Sequence, residues 1–381
     1  MPLPVLLVST TTTWIGTARI PKGLADAGFE VSLLAPRHSL AEASRFVAHL
    51  RHIDDRTTPA QWFDSFAAMV EATMPRLVIP CDDTAFELLA SIVTNPRKSV
   101  PADAQETLAT LVRASLGQPA FFLPSVDKTL LPPLAEASGA SVPPYSIVTR
   151  TAEAAAFATK HQYPIVLKRA HAFAGQGVAI CANEADLARA ISAFGVADAR
   201  DRLRSTPGGF LAQAHVAGPV RYFHAAAWQG QLVAGFSLEK LVANPAPTGP
   251  PTITRYFAGH ELRRIVADVA RALGISGLFF AEFICDAATG SPLLIEINRR
   301  VSPATHRGAE RNVNLCAALF AALDNSMSTS RAALDADEEG IVAHFPQEWL
   351  RDPNSPYLQR YPADVPWDEP ELLQALLKLG H

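Results

Sequence analysis

The sequence predicts a parallel α/β unit at the N-terminus, followed by a second unit of mixed strands and helices. Three observations carry this. Short, fully apolar runs alternate with helix-spaced apolar residues over the first hundred positions. From residue 165 onward, strand-type segments recur at 165–168, 178–181, 210–214, 222–228 and 232–236. Near residue 280, two strand-type segments flank a turn and carry carboxylates at matching positions.

The apolar run 5–8 ends in Ser9 and four threonines, as a buried parallel strand entering a loop would. Ile20, Leu24 and Ala27 recur at helical spacing, and Gly28 stops that helix. Residues 31–34 read as the next strand, Phe63, Phe66, Ala67 and Val70 as one helix face, and 77–79 as another strand. Residues 129–138 are helical in pattern up to Gly139, 165–168 and 178–181 are strands, and 185–194 is a helix. Strands are expected at 210–214, 222–228 and 232–236, an irregular loop with four prolines at 243–251, and a helix at 261–273. This divides the chain into 1–105, 106–206, 207–330 and a tail, 331–381.

Charge and composition exclude several classes. The 381 residues carry 33 Lys and Arg against 37 Asp and Glu, a net charge of −4 with no basic block, so nucleic acid is not an expected partner. Cys81, Cys181, Cys285 and Cys316 share no CxxC spacing, which argues against a zinc site and a disulfide framework. The N-terminus lacks a basic start, and no apolar stretch reaches membrane-spanning length. A cytoplasmic protein without membrane partners is expected.

The segment 277–300 is the most informative. Residues 278–285 and 293–298 are strand-like, and 286–292 has turn chemistry. A hairpin symmetric about Thr289 sets Glu282 across from Glu296, Ile284 across from Leu294 and Phe280 across from Asn298. Residues two apart share a face, so Glu282, Glu296 and Asn298 converge. Two opposed carboxylates among apolar neighbours repel, and a divalent cation resolves the conflict. All-oxygen ligands favour Mg²⁺, Mn²⁺ or Ca²⁺. The alternative is a surface hairpin with its glutamates in water. Apolar residues on the same face and the cations Arg299 and Arg300 argue against it.

Residues 164–168 read Pro-Ile-Val-Leu-Lys, and the small-residue loop 170–178 follows with Gly175 and Gly177. Backbone N–H groups in such a loop attract anions, and Lys168 beside it suits phosphate. A solvated lysine and an ordinary hairpin turn are the simpler alternatives. Neither a Walker A loop nor a GxGxxG turn is present, and residues 10–16, Thr-Thr-Thr-Thr-Trp-Ile-Gly, count against a dinucleotide-binding oxidoreductase.

Four motifs, in order, resemble the ATP-grasp superfamily, particularly carbamoyl-phosphate synthase large chains, biotin carboxylases and amino-acid ligases. These are Asp127-Lys128, leading to Gly139 and Val142-Pro143-Pro144; residues 165–168 with the loop to Gly177-Val178; residues 210–218; and Ala281-Glu282-Phe283 with residues 295–300. The resemblance covers most of 1–320. It implies a pre-ATP-grasp α/β domain followed by two α+β subdomains that clasp ATP. It further implies that Lys128 and Lys168 contact phosphates, that Gly175 and Gly177 offer backbone N–H groups, and that Gln213 and Val216 meet adenine. Arg221 lies where relatives contact ribose. Glu282, Glu296 and Asn298 would hold Mg²⁺ or Mn²⁺, Arg300 would stabilise an acyl phosphate, and the loop 171–177 would act as a lid. The implied reaction is ligation of a small carboxylate to an amine, with a homodimer allowed. A non-catalytic ATP-binding module and an ATP-dependent carboxylase acting on bicarbonate are the alternatives. Lys240, Arg255, His306 and Arg307 are candidates to line an anionic-substrate pocket, and Asp82 and Asp83 follow a strand end where parallel sheets bind ligands.

Overall fold

The structure is a computed structural model that describes residues 2–54, 57–97, 101–170, 177–194, 209–324, 340–361 and 364–380. Its first sheet is parallel and joins β1 (Leu3–Val8), β2 (Phe29–Pro36), β3 (Val47–Ile53) and β4 (Leu77–Pro80) in the order β3-β2-β1-β4. Alternate residues of β1 feed two cores. Val5 and Leu7 pack with α1 (Ile20–Asp26), while Leu6 and Val8 pack with α2 (Pro59–Thr73) and α3 (Asp83–Thr94). β3 escapes the sequence pattern because His49, Arg51 and His52 leave it no apolar face; pairing with β2 at a sheet edge forms it. Helix α4 (Ala102–Leu116) runs across residue 105 and buries Leu108, Val112 and Leu116 in the second of these cores.

After α5 (Leu131–Ala137) comes an antiparallel sheet of β5 (Tyr145–Val148), β6 (Ile165–Arg169), β7 (Val178–Cys181) and β8 (Phe210–Ala214), ordered β5-β8-β6-β7. Helices α6 (Thr151–His161) and α7 (Glu184–Phe194) pack with it in a small separate core. The subdomain border expected at 206 lies outside the described residues.

The third sheet is antiparallel. It orders β13 (Pro292–Asn298), β12 (Gly277–Cys285), β9 (Val220–Trp228), β10 (Gln231–Ala243), β11 (Pro251–Tyr256) and β14 (Gly340–Ala343). One face is covered by α8 (His260–Ala272) through Leu262, Ile265, Val266 and Val269. Part of the other packs with α9 (Leu315–Leu323) and, through it, with the first sheet. The C-terminal segment is built in rather than loose. It supplies β14, and α12 (Pro370–Leu377) packs on the 3₁₀ turn Leu40–Ala43, where Glu369 accepts a hydrogen bond from Ser44. No helix among the described residues is long and apolar enough to cross a membrane.

Candidate active site

A cleft of about 530 Å³ lies between the second and third sheets. Side-chain alternation selects what reaches it. Val220, Tyr222 and His224 of β9, Leu238 and Lys240 of β10, and Phe280, Glu282 and Ile284 of β12 all line it at every second position.

Glu282 stands directly opposite Glu296, and Phe280 opposite Asn298, as the symmetric hairpin predicts. Nearer the turn the register slips by one. Phe283 faces Leu294 and Ile284 faces Leu293, so the expected Ile284–Leu294 pair does not form. Ile295 is the extra residue of a β-bulge, and sequence symmetry alone does not locate a bulge.

Lysines flank the carboxylate pair. Lys128 places its Nζ 3.1 Å from Glu296 Oε1 and is almost fully buried. Its backbone N–H donates to Ala170, while the Asp127 carboxylate accepts from the Thr129 N–H at 2.7 Å and fixes the turn that presents the lysine. Lys168, at the end of β6, is also buried. Burial depresses its pKa to about 8, against the attraction of Glu296 and reinforced by the repulsion of Lys128. Burial first and then repulsion by Glu296 raise Glu282 to about 7. A carboxylate so poised lacks enough positive charge nearby, which is what a divalent cation supplies.

Asn298 completes the group. Its Nδ2 donates to Glu282 Oε1 at 3.3 Å, and its Oδ1 accepts from Arg300 Nη2 at 3.0 Å. Among the described residues, no three His, Cys, Asp or Glu side chains are grouped to hold a metal. Glu282, Glu296 and Asn298 offer two carboxylates and one amide, donors whose chemistry suits a hard cation. Arg300 donates through Nε to Asp83 Oδ2 at 2.8 Å, and its guanidinium lies 4.8 Å from the Trp14 ring and 5.3 Å from that of Phe280. Asp83 thus reaches the site as a partner of Arg300, while Asp82 caps α3 and binds Ser9 and Thr10.

The other end of the cleft is apolar. Val166, Val178 and Ile180 come from the second sheet, and Val220, Ile284 and Ile295 from the third. Gln213 and Val216 line the strand and crossing segment between them. A Cβ on Gly218 would stand 1.8 Å from the Cys285 carbonyl oxygen, and the Ala287 N–H donates to Ala217 at 2.8 Å. This close approach clamps the crossing segment to the carboxylate hairpin.

Some predicted residues lie elsewhere. Arg221 is absent from the cleft lining; strand alternation turns it to the other face, where it pairs with Glu239 and stacks on Phe257. Arg255 pairs with the same glutamate. His306 and Arg307 face Asp364, away from the cleft. Arg299 braces the first domain instead, donating to Leu116 and Ser125 and lying over Phe86. Gly177 stands before β7 with φ of 70°, whereas Gly175 and the rest of the expected lid lie outside the described residues. Lys240 does line the cleft. Sequence reasoning missed Trp14, Tyr222, His224, Thr254 and His344 as lining residues. The alternation of Val220, Tyr222 and His224 was a usable signal for two of them; Trp14 and His344 come from distant segments.

Residues 127–201 match the family model of the carbamoyl-phosphate synthase L chain ATP-binding domain. Similar solved structures extend the likeness to most of the chain. A biotin carboxylase from Campylobacter jejuni, solved as a β-γ-ATP complex, aligns at TM-score 0.67 and 14% identity over 89% of this chain and 74% of that one. The chain has the ATP-grasp fold. An N5-carboxyaminoimidazole synthase from Aspergillus clavatus, solved with ADP and its aminoimidazole ribonucleotide, gives 0.64 at 14% identity over 89% and 81%. An L-amino acid ligase from Bacillus licheniformis gives 0.62 at 16% identity over 87% and 77%. No curated protein matches by sequence. In the ATP-grasp arrangement here, the carboxylate hairpin and both lysines meet at the middle of the cleft.

Proposed function

We propose that this chain is an ATP-dependent ligase that phosphorylates a small carboxylate and passes the acyl group to an amine, releasing ADP and phosphate. The observation that carries it is the central group of Lys128, Lys168, Glu282 and Glu296, set between an apolar pocket and the Arg300 end of the cleft. The apolar end, with Gln213 and Val216, suits a purine ring. Lys128 and Lys168 neutralise the phosphates that extend from it. Glu282, Glu296 and Asn298 would hold Mg²⁺, which would supply charge neutralisation for the phosphates.

Beyond the phosphates, Arg300 meets the carboxylate substrate. One carboxylate oxygen attacks the γ-phosphorus as the bond to the ADP oxygen breaks. The amine nitrogen then attacks the acyl carbon, phosphate leaves with its bonding pair, and the nitrogen loses a proton. Arg300, oriented by Asp83 and between two rings, can donate to the acyl phosphate throughout. Catalysis on this reading is positioning plus charge neutralisation.

The test is incubation with Mg·ATP and pooled amino acids, small acids and amines, followed by mass spectrometry. Condensation products with stoichiometric ADP and phosphate are expected. AMP formation, or turnover that depends on bicarbonate, overturns the amine-ligase reading.

A further inference from the structure

Beyond the carboxylate pair the cleft continues across the third sheet. In register, the row Glu296, Glu282, Tyr222, Leu238 leads away from the charges, and the next row is Asn298, Phe280, His224, Phe236. The floor therefore changes from carboxylates to rings and an aliphatic side chain within two strands. The cation Arg300 stands at its edge, Lys240 lies one row nearer the apolar end beside Val220 and Ile284, and among the described residues no carboxylate lines this half beyond the Glu282–Glu296 pair.

We propose that this half of the cleft is the subsite for the carboxylate substrate, and that it selects a carboxylate with an uncharged, apolar side chain, aromatic or branched aliphatic. This rests on the ligase reading above.

The two histidines that line the subsite are built to stay neutral. His224 is stacked between Phe236 at 5.0 Å and Phe280 at 5.3 Å, with its Nδ1 3.2 Å from the Ser302 hydroxyl. His344 Nε2 lies 2.9 Å from the Thr254 hydroxyl. Burial holds both near pKa 3; His306 lowers His224 further, and for His344 Arg307 acts in the same sense, against Asp364. Neither imidazole can then pair with an acidic side chain; Arg300 is taken up by the reacting carboxylate and Lys240 by the Pro247 carbonyl, and among the described residues the cleft offers a basic side chain only the carboxylates beside Lys128. A charged side chain would lose its water without a partner.

The walls are preformed. In the loop after β10, the Gly249 N–H donates to Pro245 at 2.7 Å and the Asn244 N–H to Pro250 at 3.1 Å. A Cβ on Gly249 would sit 2.4 Å from the Asn244 backbone, so this wall is packed on itself. Lys240 Nζ donates to Pro247 at 3.3 Å and holds the loop at the cleft. Opposite, Trp14 closes the rim. Its indole folds over Gly16, where a Cβ would come within 2.4 Å of Nε1, and stacks on the Arg300 guanidinium.

The test uses the full chain with saturating Mg·ATP, and phenylalanine, leucine, alanine, glutamate and lysine as probes. Phosphate release should give kcat/KM for phenylalanine or leucine about tenfold above alanine and about 100-fold above glutamate or lysine, the scale on which apolar pockets discriminate. Trp14→Ala should raise KM for the preferred acid about tenfold and leave KM for ATP unchanged, and Trp14→Phe should restore most of it. Calorimetry of phenylalanine and glutamate binding without turnover separates the two levels. Phenylalanine binding that Trp14→Ala weakens, with no ADP formed, keeps the subsite and sinks the ligase reading. ATP turnover that favours glutamate or lysine keeps the ligase and overturns the subsite, and absence of both binding and turnover overturns both.

Discussion

Glu296→Gln tests the centre of the site. The amide keeps the shape and removes one negative charge from a group of two lysines and two glutamates. Lys128, 3.1 Å from Glu296, loses its partner while buried, a change that costs about 3–5 kcal/mol in other buried pairs. Glu282 gains in return. Its rise from 4.5 to about 7 corresponds to at most about 3.4 kcal/mol, of which repulsion by Glu296 is the second cause after burial, and its opening to cleft water reduces the figure. The two effects oppose, so the net loss of stability should be less than the ~3–5 kcal/mol of the bare pair. Activity should respond differently, because a charged ligand disappears at the phosphates. Loss of one preorganised charge contact there costs about 10²–10³ in rate. ADP release at saturating Mg·ATP should therefore fall by about 10³, while the thermal midpoint moves by a few degrees and its rise on adding Mg·ATP shrinks. A folded Glu296→Gln protein that turns over within tenfold of wild type would refute the metal assignment.

Lys168→Met should weaken Mg·ATP binding by about tenfold to 100-fold, since a hydrogen bond to a charged group contributes about 1.5–3 kcal/mol; equal affinities by calorimetry would place Lys168 outside the phosphate site. Asp83→Asn should loosen Arg300, lowering kcat/KM for the carboxylate about tenfold with KM for ATP unchanged; parallel changes in both would mean general damage to the fold. His224 has a folded pKa of about 3 against 6.5 unfolded, so the stability it contributes is complete above pH 6.5 and is lost as pH falls toward 3. Urea unfolding at pH 7 and 4.5 should show an acid loss smaller by about 2.7 kcal/mol in His224→Phe, and an unchanged loss would show that the imidazole is not held neutral.

The sequence alone determined the parallel α/β start, the run of strands after it and the carboxylate hairpin. These follow from local periodicity and turn chemistry, which need no knowledge of neighbours. Buried runs such as β1 and β4 read directly as strands, and the facing of Glu282 and Glu296 followed from symmetry about the turn. The tertiary structure decided whatever depends on which face a neighbour covers. It placed Arg221 on the outer face of β9, assigned Arg299 to bracing, and inserted the bulge at Ile295. It formed β3 from a polar segment because a sheet edge was available. It also brought Trp14, Asp83, His224 and His344 to one cleft from four distant parts of the chain. Such meetings carry no local signature, because they are set by packing of the three sheets rather than by the residues beside them in sequence.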